Sequence, residues 1–250
     1  MLNVLVPIAN ESNFFPETEY LYPKTLAEIN GQMMIKIVID SLQKIPGEKK
    51  FIFIIRKTDE EHFHFGNILR LLAQSDCEVV QVEGKTQGAA CSCLMAIDFI
   101  NDSNPLVITN CDQLIDVDLG KILSSFQAEK LDAGTICFES VHPKWSYVKQ
   151  DENGLVCEAA EKRPISNNAI AGFYYFHQGC DFVSSSMKMI EKNVNLDGYY
   201  YIAPVFNEMI LASKRIGVEH IPSSKYHSFY SPQKIKEYET ILTESRKIEL

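Results

Sequence analysis

The sequence predicts an α/β fold, a three-layer α/β/α sandwich built around a mostly parallel sheet. The 250-residue chain is 46% hydrophobic and 23% charged, which is the composition of a folded globular protein. Short apolar runs alternate with longer segments of helical periodicity through its first half. Such an alternation is typical of parallel strands in one sheet with helices on both faces. Because no linker, repeat or low-complexity tract divides the chain, we expect residues 1–250 to form a single domain.

The first half of the chain supplies four predicted strands and three predicted helices. The strands are the apolar runs at residues 2–8, 51–55, 78–82 and 105–109. The helices cover residues 33–42, 63–72 and 89–100. A turn at Asn30-Gly31 precedes the first helix, and Gly88 leads into the third. Because the carboxyl ends of parallel strands meet at one edge of a sheet, we expect ligands beside the loops that follow these four strands.

The second half is richer in strands and ends in a helix. Predicted strands cover residues 133–139, 145–150, 155–160, 171–177 and 217–221, and the segment 151–154 is a hairpin turn between two of them. Predicted helices cover residues 182–192 and 204–213. A last helix is expected from Pro232 to about residue 246, with Ser231 as its N-cap.

Charge and composition exclude several classes of function. The chain carries 33 acidic and 24 basic residues, a formal net charge of −9, which disfavours nucleic-acid binding. The N-terminal residues lack the basic segment of a signal peptide, and no stretch approaches the ~20 apolar residues of a membrane-spanning helix. The seven cysteines have no zinc-site spacing and indicate reduced thiols in a cytoplasmic protein.

One acidic residue occupies the predicted ligand edge. The apolar run 105–109 is followed at once by Asn110, Cys111 and Asp112. A carboxylate there suits Mg²⁺, which prefers hard oxygen ligands and completes its shell with water and substrate phosphates. The alternative is that Asp112 caps a following helix, since aspartate is favoured at helix starts.

A series of short motifs runs along the whole chain. They are VLVPIA at 4–9, YPKTL at 22–26, NGQMMI at 30–35, KTQGAA at 85–90, TNCD at 109–112, EKRP at 161–164, AGFY at 171–174 and GYYY at 198–201. Their order resembles the sugar-phosphate nucleotidyltransferases, which join a nucleoside triphosphate to a sugar 1-phosphate and release pyrophosphate. The resemblance implies the fold of the nucleotide-diphospho-sugar transferases, with Mg²⁺ as the cofactor.

The resemblance also implies roles for the matching residues. Lys24 and Asp112 match a catalytic lysine that offsets phosphate charge and the aspartate that holds the metal. The residues matched to the nucleotide are Ala9, Asn10, Gln87 and Gly88. The residues matched to the sugar and its phosphate are Glu161, Lys162 and Gly172.

Most of these residues also have a purely structural interpretation. Lys24 could be a solvated surface lysine, Gly88 a glycine that begins a helix, and Gly172 a strand glycine that allows close packing. Glu161 and Lys162 could be two surface charges at the end of a strand.

The chain departs from the family pattern in three places. In the first loop Asn10 and Ser12 replace glycines, and Phe14 occupies the place of an arginine that meets phosphates. Near the C-terminus Ser228 occupies the place of a second metal-binding aspartate. Cys111 stands where a small residue usually precedes the metal aspartate.

Other residues could compensate for these departures. Lys24, Lys85 and Lys162 are candidates to supply the charge that the arginine gives. Asn10 tolerates left-handed backbone and could preserve the turn of the first loop. His227 is either a metal ligand or, as is more common in an aromatic-rich turn, a structural histidine.

The resemblance therefore implies a nucleotidyltransferase for surface-polysaccharide or sugar-nucleotide synthesis. Its partners would be a nucleoside triphosphate and a phosphorylated sugar or metabolite, with no nucleic acid and no membrane, and self-association is left open. Two alternatives remain: a catalytically impaired protein that binds a sugar nucleotide and regulates or scaffolds a partner, and a glycosyltransferase of the same fold.

Overall fold

The central sheet is formed by the apolar runs that the sequence assigns to strands. The computed structural model describes residues 1–9, 14–15 and 22–248. Its strands are β1 (Leu2–Pro7), β2 (Glu28–Ile29), β3 (Gln32–Met33), β4 (Lys49–Arg56), β5 (Asp76–Val82), β6 (Leu106–Thr109), β7 (Gln113–Ile115), β8 (Ala133–Glu139), β9 (Ser146–Gln150), β10 (Val156–Glu161), β11 (Asn168–Phe176), β12 (Ile216–His220) and β13 (Tyr226–Ser228). Its helices are α1 (Met34–Gln43), α2 (Lys57–Phe63), α3 (Phe65–Ala73), α4 (Ala89–Leu94), α5 (Ile97–Ile100), α6 (Leu119–Ala128), α7 (Gly179–Glu191), α8 (Val205–Leu211) and α9 (Pro232–Ile248).

Within the described part of the chain, nine strands form one sheet. Its order is β10-β9-β11-β6-β1-β4-β5, with β8 beside β11 and β12 beside β8. The segment β6-β1-β4-β5 is parallel throughout, whereas β11 runs antiparallel to β6, β8 and β9. The carboxyl ends of the four parallel strands therefore lie along one edge of the sheet, where the α/β fold places its ligands.

Apolar side chains cover both faces of this sheet. In β4, Phe51 and Phe53 belong to the core on one face, while Ile52 and Ile54 belong to the core on the other. All four are fully buried. Successive side chains of a strand point to opposite faces, so a strand that is apolar at every position is buried between two layers of helices. The predicted three-layer architecture is confirmed.

Two helices predicted as continuous are broken. The segment 63–72 is interrupted at His64, whose φ of 51° ends α2 and leads into α3. The segment 89–100 divides into α4 and α5 at Met95 and Ala96. The prediction of one continuous helix in each segment was wrong, because the spacing of apolar residues does not reveal a single break in the backbone.

The predicted turn at Asn30-Gly31 and the predicted N-cap at Ser231 are both confirmed. Asn30 (φ 50°) and Gly31 (φ 77°) turn the chain between β2 and β3, which is the left-handed backbone that these residue types tolerate. At the start of α9, the Ser231 hydroxyl accepts a hydrogen bond from the backbone N–H of Lys234 at 3.4 Å. A search of the described helices found none that is both long and apolar enough to cross a membrane.

Candidate active site

Asp112 lies in the turn between two strands, at the carboxyl end of β6. Its turn leads into β7 and not into a helix, so Asp112 does not cap one. The cap of the next helix, α6, is Asp118, whose carboxylate accepts from the backbone N–H of Lys121 at 3.0 Å. The backbone carbonyl of Asp112 accepts from the N–H of Phe229 at 2.8 Å, which ties the turn to the segment after β13.

Lys24 and Asp112 form an ion pair across this edge. The Nζ of Lys24 lies 2.9 Å from the Oδ2 of Asp112, and each side chain is only 17% exposed. Burial alone would lower the pKa of Lys24, but the adjacent carboxylate raises it above its ordinary value. Lys24 is therefore a charged, half-buried group and not a solvated surface lysine.

The residues around the expected second metal ligand lie on β13. This strand pairs antiparallel with β7, and Ser228 is opposite Gln113, the neighbour of Asp112. His227 is opposite Leu114 on the other face of the pair, and its ring lies 4.7 Å from that of Tyr238. Burial lowers the pKa of His227. This setting is that of a structural histidine packed on an aromatic ring.

A buried glutamine next to Asp112 connects three neighbouring strands, and no sequence motif singles it out. The Nε2 of Gln113 donates to the carbonyl of Gly172 at 3.0 Å and to the hydroxyl of Thr109 at 3.2 Å. Its Oε1 accepts from Asn110 and from the hydroxyl of Tyr226. A buried side-chain amide with all of these partners fixes the relative positions of β6, β11 and β13.

Gly172 lies at an irregularity of β11. Its φ is +58°, and the pairing of β11 with β8 shifts register between Ile170 and Tyr174. A Cβ added at Gly172 would lie 2.2 Å from the side-chain nitrogen of Asn110. Glycine is thus required twice over, by the backbone conformation and by the close approach of Asn110.

A cavity of about 200 Å³ opens beside Asn110 and Gly172. Four aromatic residues contribute to its wall: Trp145, Tyr174, Tyr201 and Tyr226. Its acidic residue is Glu161, whose carboxylate accepts a hydrogen bond from the Ser146 hydroxyl. Burial raises the pKa of Glu161. A carboxylate between aromatic rings can accept hydrogen bonds from the hydroxyl groups of a small polar ligand.

Lys162 follows Glu161 at the end of β10 and contacts Tyr201, a residue of the cavity wall. Its backbone has φ 51°, and its Nζ donates to the hydroxyl of Tyr201 at 2.9 Å. The same ammonium lies 4.8 Å from the centre of the Tyr201 ring. The hydrogen bond to Tyr201 raises the pKa of Lys162. The structure thus brings Glu161 and Gly172 to one cavity, with Lys162 behind Tyr201 of its wall.

Gly88 packs directly against the backbone of Tyr200. Its φ is +106°, and an added Cβ would lie 2.4 Å from the carbonyl oxygen of Tyr200. Gln87 accepts from the Tyr200 N–H at 2.8 Å, and Ala90 donates to the Tyr200 carbonyl at 3.0 Å. This contact explains the glycine structurally, while the Gln87 side chain is left exposed at the sheet edge.

The first loop is described only at its two ends. Ala9 is half-buried just beyond β1, and Asn10 lies outside the described residues, as do Glu11 and Ser12. Phe14 is 57% exposed. Its ring meets that of Tyr230 edge-on at 5.3 Å.

A larger cavity of about 600 Å³ lies at the carboxyl ends of β4 and β5. Its walls include Pro23, which precedes Lys24, and Lys85, which precedes Gln87 by two positions. Arg56 lines it as well and is held to Asp59 by a two-point ion pair, with the Nη2 of Arg56 2.7 Å from Oδ1. The volume is within the range of small-molecule sites.

The residues at Asp112 fit a magnesium ion that takes most of its shell from other sources. Among the described residues, no group of three or more His, Cys, Asp or Glu side chains is placed to hold a metal. Mg²⁺ does not require such a group, since one or two carboxylates with waters and substrate phosphates suffice. Cys111 is an unsuitable ligand, because burial raises the pKa of its thiol to about 12.

Comparison with known proteins assigns the family and the fold. A sequence model of the nucleotidyl transferase family matches residues 12–208. A nucleoside-diphosphate-sugar pyrophosphorylase from Vibrio cholerae RC9 superposes with a TM-score of 0.81 at 20% identity, over 95% of this chain and 99% of that one. A UDP-glucose pyrophosphorylase solved with UDP-glucose superposes with a TM-score of 0.76 at 17% identity, over 97% and 98% of the two chains. In a search of proteins with curated functions, none matched this chain.

Proposed function

The chain belongs to the nucleotidyl transferase family, and on that basis we propose that it joins a nucleoside triphosphate to a sugar 1-phosphate or a similar phosphorylated metabolite. Pyrophosphate is the second product. The two similar structures bear the names of enzymes of this type. We further propose that the reaction takes place in the cytoplasm and supplies a sugar nucleotide for a surface polysaccharide.

The observation that carries the proposal is the Lys24–Asp112 pair. It joins a cation and a carboxylate at the carboxyl edge of the parallel strands, with Nζ and Oδ2 2.9 Å apart. Lys24 directly follows Pro23, which lines the larger cavity. Asp112 comes two residues after Asn110, which lines the smaller cavity. Both members of the pair are thus close in sequence to a cavity-lining residue, which supports assigning the larger cavity to the nucleoside and the smaller one to the acceptor.

In the proposed reaction an oxygen of the acceptor phosphate attacks the α-phosphorus of the triphosphate. A new phosphorus–oxygen bond forms, and the bond from the α-phosphorus to the oxygen that bridges to the β-phosphate breaks. Pyrophosphate leaves with that electron pair. Positioning the two phosphates in line and offsetting their charge are the main tasks of the protein in such a transfer.

Each of the matched residues has a task in this scheme. Lys24, which remains protonated, offsets negative charge on the phosphates. Glu161 accepts hydrogen bonds from acceptor hydroxyls, and Lys162 contacts the acceptor phosphate. The backbone at Gly172 lies against the acceptor.

Magnesium is the cofactor that we propose for this site. Asp112 would supply its protein carboxylate, and the bound ion would offset charge on the phosphate oxygens. Asp112 can do so while Lys24 stays near, because only Oδ2 of the carboxylate is engaged by Lys24.

The direct test is release of pyrophosphate. Purified protein would be incubated with each common nucleoside triphosphate, Mg²⁺ and a panel of sugar 1-phosphates and other small phosphate esters. The expected result is pyrophosphate in stoichiometric amount with a nucleotide-linked acceptor. Absence of product with every pair, although nucleotides raise the melting temperature, would contradict the proposal.

One observation favours a second function, that of a protein that binds a sugar nucleotide without turning it over. In the described part of the chain Asp112 belongs to no cluster of three or more potential metal ligands, and Ser228, opposite Gln113, stands where the family resemblance implies a second aspartate. The same incubation separates the two functions, since this alternative predicts nucleotide-dependent stabilisation and no pyrophosphate.

A further inference from the structure

A second lysine, Lys144, is held at the wall of the 200 Å³ cavity by aromatic rings. Its Nζ lies 4.4 Å from the ring centre of Trp145 and 4.4 Å from that of Tyr230. It also donates to the hydroxyl of Tyr230 at 3.2 Å. An ammonium over an aromatic face is held by the negative charge of that face and keeps its own positive charge.

The charge of Lys144 is not offset by an ion pair. Among the described residues no carboxylate lies within 4.0 Å of its Nζ. Lys24, by contrast, is paired with Asp112. Lys144 also acts on Glu237, whose pKa is lowered first by its hydrogen bond from Lys234 and then by the charges of Lys234 and Lys144; Glu237 itself is paired with Lys234. Lys144 is thus a cation of the cavity wall that Trp145 and Tyr230 position and that can meet an incoming anion.

Its partners link the cavity to the first loop. Tyr230, which carries Lys144 on its face, is in edge contact with Phe14 at 5.3 Å. Phe14 follows β1, whose carboxyl end belongs to the nucleotide side of the sheet edge. Lys144 is therefore connected through Tyr230 to the described end of the first loop at Phe14.

We propose that Lys144, positioned by Trp145 and Tyr230, is a phosphate-binding residue of the cavity, and that it holds the phosphate group of the acceptor. The acceptor class is a small hydroxylated phosphate ester, with its hydroxyls at Glu161 and its phosphate at Lys144, which would share that phosphate with Lys162. This inference rests on the proposed function for the identity of the acceptor. Anion binding itself can be measured without turnover.

Trp145 gives a direct signal, because it is the only tryptophan of the chain and lies against the ammonium in question. Inorganic phosphate, glucose 1-phosphate and glucose would be titrated into the protein while tryptophan fluorescence is recorded. The variants would be Lys144→Met, Lys144→Arg and the control Lys149→Met, which removes an exposed lysine of β9 that does not line the cavity.

The wild type and Lys149→Met are expected to show saturable changes with both phosphate compounds. In Lys144→Met the dissociation constants for both should rise about tenfold to a hundredfold, which is the usual value of a charge-assisted hydrogen bond. Lys144→Arg should restore most of the affinity, and any response to glucose should be the same in every variant.

Equal affinities for inorganic phosphate in the wild type and Lys144→Met would overturn the inference, as would a wild type that shows no saturable response to either phosphate compound. Pyrophosphate release is measured separately. If Lys144→Met loses phosphate binding and the wild type releases no pyrophosphate, the anion site is supported and the proposed reaction is rejected. If Lys144→Met binds phosphate as the wild type does and the wild type releases pyrophosphate, the role of Lys144 is rejected and the proposed reaction stands.

Discussion

At the scale of single residues, the Lys24–Asp112 pair sets the protonation state of the site. The pKa of Lys24 reflects two opposing effects: burial lowers it, and the Asp112 carboxylate raises it. The second effect wins, so the part of the pair's stability that depends on Lys24 is present at neutral pH and is lost as strongly alkaline pH deprotonates Lys24.

Replacing Asp112 by asparagine should reverse that balance. In Asp112→Asn the burial of Lys24 remains and the charge partner is gone, so the pKa of Lys24 should fall below its ordinary value. The pH titration of Lys24 followed by NMR of isotope-labelled lysine side chains measures this directly. Asp116→Asn is the matched control, because its partner Lys225 is exposed. An unchanged Lys24 titration in Asp112→Asn would show that the pair does not control the charge.

Ionised Glu161 is expected to lower the stability of the folded protein at neutral pH. Burial raises its pKa, so its ionised form destabilises the folded state at neutral pH, and the cost disappears as the pH falls through the raised pKa. Glu161→Gln should therefore raise the melting temperature at neutral pH, with a gain that shrinks in acid, and should weaken binding of the acceptor.

Thermal unfolding at several pH values, together with the acceptor KM, tests both parts. Glu158→Gln on the same strand, where the carboxylate is half-exposed and paired with Arg163, should show neither effect. A loss of stability in Glu161→Gln at every pH would mean that the carboxylate supports the fold.

Several residues of the candidate site could be predicted from the sequence, and Gln113 could not. Lys24, Asp112, Glu161, Lys162 and Gly172 belong to motifs whose order is visible along the chain. The importance of Gln113 comes from contacts with Gly172 and Tyr226, which lie 59 and 113 positions away. Contacts at such separations leave no local pattern in one sequence.

At the scale of elements, the glycine before α4 joins two distant segments. Gly88 and Gly47 both have positive φ, of 106° and 90°, but only Gly88 has backbone atoms where a Cβ would be. Gly47→Ala should cost about 1–3 kcal/mol from backbone strain. Gly88→Ala should cost more, because the Tyr200 carbonyl must also move away.

Urea unfolding of the two variants measures this difference. Equal losses of unfolding free energy in Gly88→Ala and Gly47→Ala would show that the approach of the Tyr200 backbone adds no constraint.

The elements themselves were predicted unevenly. In β1, β4 and β6 most side chains are buried, and such apolar runs were located correctly because few other structures bury successive side chains of a run. The edge strand β5 is only partly buried, and its start was placed two residues late. Helix α6 was missed, although its buried residues recur at helical spacing: Leu119, Ile122, Leu123 and Phe126. The two-residue and three-residue strands β2, β3, β7 and β13 are too short to show any periodicity.

At the scale of the whole molecule, one sheet holds both halves of the candidate site. The parallel strands bring Lys24, Asp112 and the larger cavity to one edge, and the antiparallel strands β9, β10 and β11 contribute the smaller cavity. Strands β6 and β11 pair directly, so the turn with Asp112 that follows β6 lies beside the strand that carries Gly172. The expectation that residues 1–250 form a single domain stays a prediction.

The net charge of −9 gives the lysines at this edge particular weight. An acidic protein repels phosphates overall, so an anionic substrate depends on local cations. Lys24, Lys144 and Lys162 are the cations at the candidate site, and each is positioned by another side chain.

The central claim is that Asp112 holds the magnesium through which a nucleoside triphosphate binds at this edge. Calorimetric titration with each common nucleoside triphosphate, with and without Mg²⁺, should be carried out on the wild type, Asp112→Asn and Asp116→Asn. The wild type and Asp116→Asn should bind at least one nucleotide in a Mg²⁺-dependent manner, and Asp112→Asn should lose that binding while it unfolds cooperatively. Undiminished Mg²⁺-dependent binding in Asp112→Asn would contradict the claim.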